Sequence, residues 1–259
     1  MVHRRLVPIV AILGLLTAEG CRREAAPPTQ NVAAREEPRA AAPIPLPQPK
    51  LDREQMILAA LRAFSATALG QQAADAQKAL RGREFELRLR FGCPGVAANP
   101  SRKWNYDAKQ QVLRAHVGTD LAATGVPASD LLLKSYEGLA GFVIEKPLLL
   151  SAGCPAPQLG AIAMSEPTIA IAQLFTSQDS RVQRLEHSYE ITKKIEESAK
   201  PTQGLDLVLS GRLTQLSDGR VIHCGFAAGP PACIVAAEFD RVTIENPVDG
   251  SVLGEWSQW

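Results

Sequence analysis

The N-terminal segment constrains this chain most, because it decides whether the cysteines that follow can pair as disulfides. A basic pair at residues 4–5 precedes an apolar run at residues 6–16, which is shorter than the roughly 20 residues that a bilayer-spanning helix needs. The small residues Ala18 and Gly20 lie three and one positions before Cys21, a spacing that a signal peptidase accepts. The segment therefore predicts export, with cleavage immediately before the cysteine.

This segment resembles the signal sequence and lipobox of bacterial lipoproteins, although Ala18 and Glu19 replace the leucine and the small residue that the family prefers. The resemblance covers residues 1–21 and implies that Cys21 carries acyl chains that anchor the protein in a membrane. Because Arg22 rather than aspartate follows the cysteine, the family's sorting tendency implies the outer membrane, with the protein facing the periplasm. The alternative is an ordinary cleaved signal that releases a soluble periplasmic protein.

A linker and a single domain are predicted to follow the signal peptide of residues 1–20. Residues 21–50 are rich in alanine and proline, and such a composition buries too little apolar surface to offset the entropy of ordering. A disordered coil of that length spans about 30 Å, which holds the folded part away from the lipid-bearing end. Residues 51–259 are long enough for one globular domain with its own core.

The charge balance bears on the class of partner. The whole chain has 28 basic and 27 acidic residues, so it carries no large electrostatic field. Nucleic-acid binding needs a clustered positive face to engage phosphates, and this balance argues against a nucleic-acid partner. The predicted partners are instead a membrane, through the acyl anchor, and an envelope protein or glycan.

Four cysteines remain after Cys21, and an even number in an oxidising compartment predicts two disulfides. We favour pairing Cys224 with Cys233, because they flank a short loop that contains glycine and two prolines. Cys93 and Cys154 are the second predicted pair, since both occupy Gly-Cys-Pro triplets that follow apolar runs. A zinc ion held by the four thiolates is the rival interpretation, but no two of these cysteines have the close Cys-x-x-Cys spacing of such sites.

Helices are predicted at the start of the domain. Asp52 is a candidate N-cap with Gln55 three residues later, as in a capping box, and apolar residues then recur at helical spacing. A second, alanine-rich helix is predicted at residues 71–81, ending at Gly82. A further short helix is predicted within residues 126–134.

The clearest strand is predicted at residues 84–91, where apolar and charged residues alternate, so that one face is buried and the other solvated. Strands are also predicted at residues 104–106 and 113–117, joined by a turn, and at residues 168–175. Residues 181–200 fit either a helix or a strand, and the sequence leaves both open.

The C-terminal part has an antiparallel pattern with two hairpin turns, Asp218-Gly219 and Asp249-Gly250. The first turn is predicted to join a strand at residues 205–213 to a returning strand with Cys224 facing inward. The inward phase changes near Asp240-Arg241, which predicts a β-bulge. The whole pattern predicts an α+β domain, in which an N-terminal helix or helical pair precedes a mainly antiparallel sheet or partly closed barrel, stabilised by disulfides.

The sequence contains no Gly-x-Ser-x-Gly, no His-Glu-x-x-His, no phosphate-binding loop and no dinucleotide-binding glycine pattern. It therefore predicts no catalytic residue, no metal site and no cofactor. We interpret His116 and His187 as exposed residues. His223 is expected to point away from the disulfide side, and Glu145 is expected to be a loop carboxylate rather than a positioned acid.

Trp104, Tyr106 and Trp256 are the candidate ligand contacts, because flat amphipathic rings bind sugars or peptides with little loss of entropy. Core packing is the alternative that we favour for the two tryptophans. The favoured function is a non-catalytic, lipid-anchored envelope module that binds a protein or glycan partner. The alternatives are an envelope hydrolase with an unrecognised site and a purely structural or assembly role.

Replacing Cys21 with serine tests the anchor. Acylation needs the thiol, so we expect Cys21→Ser to move the protein from the membrane fraction to the soluble fraction and to abolish labelling with radioactive palmitate. Fractionation of cells that express each form is the measurement, with the unchanged chain as the control. Unaltered membrane association, together with an unlabelled wild-type protein, would contradict the anchor.

Overall fold

The computed structural model describes residues 48–71, 74–96, 99–119, 121, 136, 138–156, 167–176, 188–225 and 232–257. Five features predicted from the sequence lie outside the described residues: the signal peptide, Cys21, most of the linker, the helix within residues 126–134, and His187.

Within this described part, two α-helices precede ten strands, so the α+β class with a mainly β-sheet domain is observed. The helices are α1 (Arg53–Ala68) and α2 (Ala74–Lys78). The strands are β1 (Glu84–Phe91), β2 (Arg102–Asp107), β3 (Val112–Gly118), β4 (Gly138–Ile144), β5 (Thr168–Phe175), β6 (Ser188–Lys194), β7 (Leu205–Leu213), β8 (Ile222–Gly225), β9 (Ala232–Asn246) and β10 (Ser251–Trp256). A 3-10 helix at Glu197–Ala199 lies between β6 and β7.

The larger sheet is built around β9, whose 15 residues pair with β5, β7, β8 and β10. The strand order is β1-β7-β9-β5-β4, and β5 is parallel to β9 whereas the other pairs are antiparallel. β2, β3 and β6 form a separate antiparallel sheet. The open-sheet alternative is therefore the one observed, and the strands of the described ranges do not close into a barrel.

One hydrophobic core joins α1, the larger sheet and the inner face of the smaller sheet. Three ring contacts cross it, with centroids 5.9–6.1 Å apart. Phe85 of β1 packs edge-on against Phe239 of β9, which packs edge-on against Phe142 of β4. Phe142 also contacts Tyr189 of the smaller sheet. These rings tie the two sheets together.

The capping box predicted at the start of α1 is confirmed. Asp52 Oδ1 accepts the Gln55 backbone N–H at 2.9 Å, and Gln55 Oε1 accepts the Asp52 N–H at 3.3 Å. The second helix ends at Lys78, three residues earlier than predicted, and Gly82 donates its N–H to the Leu213 carbonyl at 2.8 Å and so extends the sheet.

The hairpin predicted at Asp218-Gly219 is wrong, although the tight turn is present, with its glycine at φ +80°. β7 and β8 both run antiparallel to β9, so they point in the same direction. Ala236 of β9 bonds to both ends of the loop between them: Thr214 donates to its carbonyl at 3.0 Å, and its own N–H donates to the Val221 carbonyl at 2.9 Å. The turn therefore lies at the tip of a loop that connects β7 to β8, and these two strands pair one after the other with the same edge of β9.

The predicted β-bulge is confirmed in β9. Ser210 lies opposite Arg241 and Gly211 lies opposite Phe239, which leaves Asp240 as the extra residue. A bulge of this kind lets the inward phase change without breaking the strand.

Two further predictions concern the strands beside β9. The Asp249-Gly250 turn joins β9 to β10 as an antiparallel hairpin, as predicted. The ambiguous segment at residues 181–200 contains strand β6, in which Tyr189 and Ile191 are buried.

A side chain at Gly211 would disrupt the bulge, because a Cβ there would overlap the Glu238 carbonyl oxygen. Overpacking of a buried position costs about 1–3 kcal/mol, so we expect Gly211→Ala to lower the free energy of unfolding by that amount. Urea denaturation followed by circular dichroism is the measurement. Gly153→Ala is the matched control, since nothing lies within 4 Å of a Cβ at Gly153. Equal stability of the two variants would contradict this account.

Candidate functional site

A cleft of about 260 Å³ lies beside the C-terminal half of β1. One wall consists of the end of β1 and the residues that follow it, through Cys93. The other wall consists of the loop after β4, from Glu145 to Pro155, together with Arg53 at the start of α1. We call this cavity the arginine cleft, because Arg53 and Arg102 line it.

Most of the charged residues that line the arginine cleft are basic. The basic lining residues are Arg53, Arg90, Arg102, Lys103 and Lys146. Glu145 is the acidic residue among the lining residues that the structure describes. Arg90 is neutralised by Asp206 of β7, whose two carboxylate oxygens accept bonds at 2.6 and 3.1 Å. Among the lining residues that the structure describes, the cations other than Arg90 outnumber the carboxylate.

Arg53 is buried in the first turn of α1, with 8% of its surface exposed. Its Nε donates to the Leu149 carbonyl at 3.0 Å, and its Nη2 donates to the backbone carbonyls of Glu145 (2.7 Å) and Lys146 (3.2 Å). Burial lowers the pKa of Arg53, while the Glu145 carboxylate raises it and Arg102 lowers it. An arginine retains its proton at neutral pH, so neutral carbonyls hold a charged group in place without cancelling its charge.

Arg102 begins β2 on the inner face of the smaller sheet and is 1% exposed. Its Nη2 donates to the Val143 carbonyl at 2.7 Å and lies 3.7 Å from Glu145 Oε1. The same carboxylate oxygen accepts an N–H from Asn99 Nδ2 at 2.7 Å. The single carboxylate therefore serves as an acceptor for the amide and partly balances the buried guanidinium groups.

The arginine cleft continues along β1 into a second depression. Its lining residues include Glu86 and Arg88 of β1 and Leu150 and Ser151 of the loop. Arg53 and Ala152 line both cavities, so the two are adjacent. We call the combined feature the β1 groove, which follows the chain from Glu86 to Cys93.

The structure pairs Cys93 with Cys154 and Cys224 with Cys233, which is the pairing that the sequence favours. The first disulfide joins the two walls of the arginine cleft, with Cα atoms 5.5 Å apart. In the second, the cysteines lie directly opposite each other on β8 and β9. Both of these sulfur atoms are 3.8 Å from the Ala60 carbonyl of α1. Only the first disulfide shapes the cleft.

The structure places the three candidate aromatic residues in separate surroundings, and each packs against the core. Trp104 also lines the arginine cleft, where its Nε1 donates to the Gly92 carbonyl at 3.2 Å. The Tyr106 hydroxyl is 3.5 Å from a backbone carbonyl just after β6. Trp256 packs edge-on against Tyr189, with ring centroids 5.1 Å apart. Core packing therefore accounts for Trp256, whereas Trp104 combines core packing with a position in the cleft.

The two described histidines belong to other clusters. His116 is partly exposed on the outer face of the smaller sheet, and its Nδ1 lies 3.1 Å from Glu190. His223 is 6% exposed, and its Nδ1 lies 2.8 Å from Arg220 Nη2 and 3.2 Å from Asp218 Oδ2. Burial by itself would raise the pKa of Asp218, but hydrogen bonds from Arg220 and His223 lower it overall. The His116–Glu190 pair joins β3 to β6, and the cluster of Asp218, Arg220 and His223 holds the turn after β7.

No local sequence signal marks Arg53 and Arg102 as site residues. Arg53 follows a helix cap and Arg102 begins a strand, and both are positions where arginines are commonly exposed. Glu145 is a loop carboxylate, as favoured, but Asn99 and Arg102 position it. Burial of these arginines depends on segments distant in sequence, so no local pattern could have predicted it.

No protein-family model, curated protein or solved structure matches this chain. Across the described ranges, no cluster of histidine, cysteine, aspartate and glutamate side chains could hold a metal ion. Of the helices in those ranges, none has the length and apolar character needed to cross a bilayer. The function must therefore be argued from the geometry of the cleft.

Removing the charge of Glu145 should destabilise the folded state. Glu145→Gln keeps the shape and the acceptor for Asn99, but it deprives two buried guanidinium groups of their carboxylate. Because the Glu145 side chain is 33% exposed, solvent screens part of this loss, and we expect a decrease of about 1–2 kcal/mol in the free energy of unfolding. Glu190→Gln, at the exposed pair with His116, is the control and should cost about 0.5 kcal/mol or less. Urea denaturation at neutral pH compares them, and equal losses would argue against the role of burial.

Proposed function

We propose that this protein is a lipid-anchored, non-catalytic binding module of the bacterial cell envelope, tethered to the outer membrane and facing the periplasm. In this proposal, acyl chains on Cys21 hold a disulfide-stabilised domain at the membrane. The arginine cleft binds an anionic group of a protein or glycan partner. The observation that carries the proposal is the burial of Arg53 and Arg102 in a cleft where Glu145 is the acidic residue among the described lining residues.

Buried cations favour an anionic ligand for an electrostatic reason. The attraction between two charges 4 Å apart is about four times stronger at an effective dielectric constant of 20 than in bulk water. Arg53 and Arg102 are 8% and 1% exposed, so an anion in the cleft is attracted by charges that water screens poorly. Lys103 and Lys146 add positive charge at the lining and help to steer an anion inward. A guanidinium fork also matches the paired oxygens of a carboxylate or phosphate.

The contacts of Glu145 support binding rather than catalysis. A hydrolase that used this carboxylate would require a nucleophile, a water site or a second acid arranged around it. Its observed partners are the Asn99 amide and the Arg102 guanidinium. Cys93 lines the cleft, but its sulfur is held in the disulfide with Cys154 and cannot act as a nucleophile. The carboxylate is therefore best described as a fixed acceptor.

The predicted linker and the charge distribution agree with an anchored binding module. A coil of residues 21–50 would let the domain reach about 30 Å from the bilayer surface. The formal net charge of the whole chain is +1, which means that the positive charge of the cleft is local rather than a consequence of general basicity. Local charge favours one binding position over nonspecific adhesion.

Charge reversal at the cleft tests the proposed function. Full-length protein with Lys103→Glu and Lys146→Glu is compared with the unchanged protein in crosslinking to isolated cell envelopes at physiological ionic strength. Because two like charges then face the anion, we expect the apparent affinity to fall by at least about tenfold. Separate measurements on isolated peptidoglycan and on envelope proteins distinguish a glycan partner from a protein partner.

A control pair carries the same charge change away from the cleft. Lys109→Glu and Lys194→Glu lie in the turn between β2 and β3 and at the end of β6, where both side chains are exposed. We expect this variant to retain binding. Equal loss in the two double variants would indicate nonspecific attraction to the envelope, and full binding by the cleft variant would contradict the proposed function.

A further inference from the structure

The outer edge of β1 faces the β1 groove. On this edge Leu51 donates its N–H to the Glu84 carbonyl and accepts the N–H of Glu86, both at 2.9 Å. Peptide groups alternate sides along a strand, so the N–H and C=O groups of Arg88 and Arg90 point to the same edge. The residues between them point to β7, their partner in the ladder. In the part of the chain that the structure describes, no backbone group bonds to that edge at Arg88 and Arg90.

The edge is open because the chain leaves it after a single bridge. Leu51 forms a parallel bridge with Phe85, and Asp52 then caps α1, which carries the chain away from the strand. The facing wall is the loop after β4, which Arg53 ties to α1 through three backbone carbonyls. A slot therefore remains where the next strand of the sheet would lie.

The Cys93–Cys154 disulfide closes the groove at the end of β1. A strand inserted between two backbones needs about 4.8 Å on each side, or about 9.6 Å in total. The Cα atoms of Cys93 and Cys154 are 5.5 Å apart, so no peptide can pass between them. A peptide that enters the groove along β1 must therefore end before the disulfide.

Positive charge is concentrated at this closed end. Arg102 lines the arginine cleft, where the described cations outnumber the carboxylate. The charged residues that line the open end are balanced instead, with three cations and three carboxylates: Lys50, Asp52, Arg53, Glu54, Glu86 and Arg88. A peptide that runs parallel to β1, as Leu51 does, brings its C-terminus to the closed end. Its terminal carboxylate is the group that complements a buried guanidinium there.

We infer that the β1 groove binds the C-terminal segment of a partner protein as an added parallel strand, with its α-carboxylate at Arg53 and Arg102. Backbone hydrogen bonds to Arg88 and Arg90 supply affinity that is largely independent of sequence, and the carboxylate sets the register. At about 3.3 Å per residue, the stretch of β1 along the groove accommodates about six residues. This inference rests on the proposed binding function and defines the chemistry of its partner.

Peptides with and without a free carboxylate test the ligand class. Two pools of fluorescein-labelled hexapeptides, identical except that one ends in amides, are titrated with full-length protein, and fluorescence anisotropy reports binding. We expect the free-acid pool to bind at least about tenfold more tightly, which corresponds to about 1.4 kcal/mol. Equal binding of the two pools overturns the inference, and so does tighter binding of acidic oligosaccharides than of the free-acid peptides.

A matched pair of variants tests strand addition. Arg88→Pro and Arg88→Ala both lose the ion pair with Glu245 at 2.6 Å, but only the proline removes the N–H that faces the groove. We expect Arg88→Pro to bind the free-acid pool at least about tenfold more weakly than Arg88→Ala, with similar thermal unfolding midpoints. Equal affinities of the two folded variants overturn the inference.

Hydrogen exchange in the unchanged protein keeps the test decisive if the proline variant does not fold. The amides of Arg88 and Arg90 should exchange more slowly once the free-acid peptides are bound, because each N–H then has a partner. Unaltered exchange at both amides overturns the inference. If charge reversal abolishes envelope crosslinking but the two peptide pools bind equally, the proposed binding function is supported and the binding of a C-terminal strand is contradicted. If neither envelopes nor peptides bind, both proposals fall.

Discussion

The hydrogen-bond ladder of β9 holds the other strands of the larger sheet in place. β7 and β8 share one edge of this strand, and β5 and β10 share the other. β7 in turn positions β1, whose outer edge forms one wall of the groove. The bulge at Asp240 changes which residues of β9 point inward, so that apolar side chains on both sides of the bulge face the core while the strand stays continuous. The groove thus depends on a ladder two strands away from it.

Two ties shape the groove on this scaffold. The Cys93–Cys154 disulfide fixes the distance between the walls, and Arg53 binds the loop after β4 to the first turn of α1. Burying a guanidinium is costly unless its donors are satisfied, which explains why backbone carbonyls surround Arg53 and why Asn99 holds Glu145 beside Arg102. The basic residues at its lining distinguish this groove from an ordinary sheet edge.

Most features that the sequence predicted well depend on residues close together in the chain. The Cys93–Cys154 pairing, across 61 residues, came instead from two matching Gly-Cys-Pro triplets. The alternation of β1 and the bulge in β9 follow from the rule that residues two apart share a face of a strand. The hairpin at Asp218-Gly219 was wrong because a turn dipeptide reports local geometry and carries no information about the strand that pairs with the next segment. α2 also ends earlier than predicted, and Gly82 bonds to the distant Leu213.

Local rules therefore determined the start of α1 at Asp52, the buried face of β1, the bulge and the mainly β-sheet class. Each of these depends on backbone geometry and on neighbours a few residues away. Only the tertiary structure decided that Arg53, Arg102 and Glu145 share a cleft, because a helix start, a strand and a loop meet there. Burial and the pairing of a sheet edge are set by segments distant in sequence, and no pattern within one segment reports them.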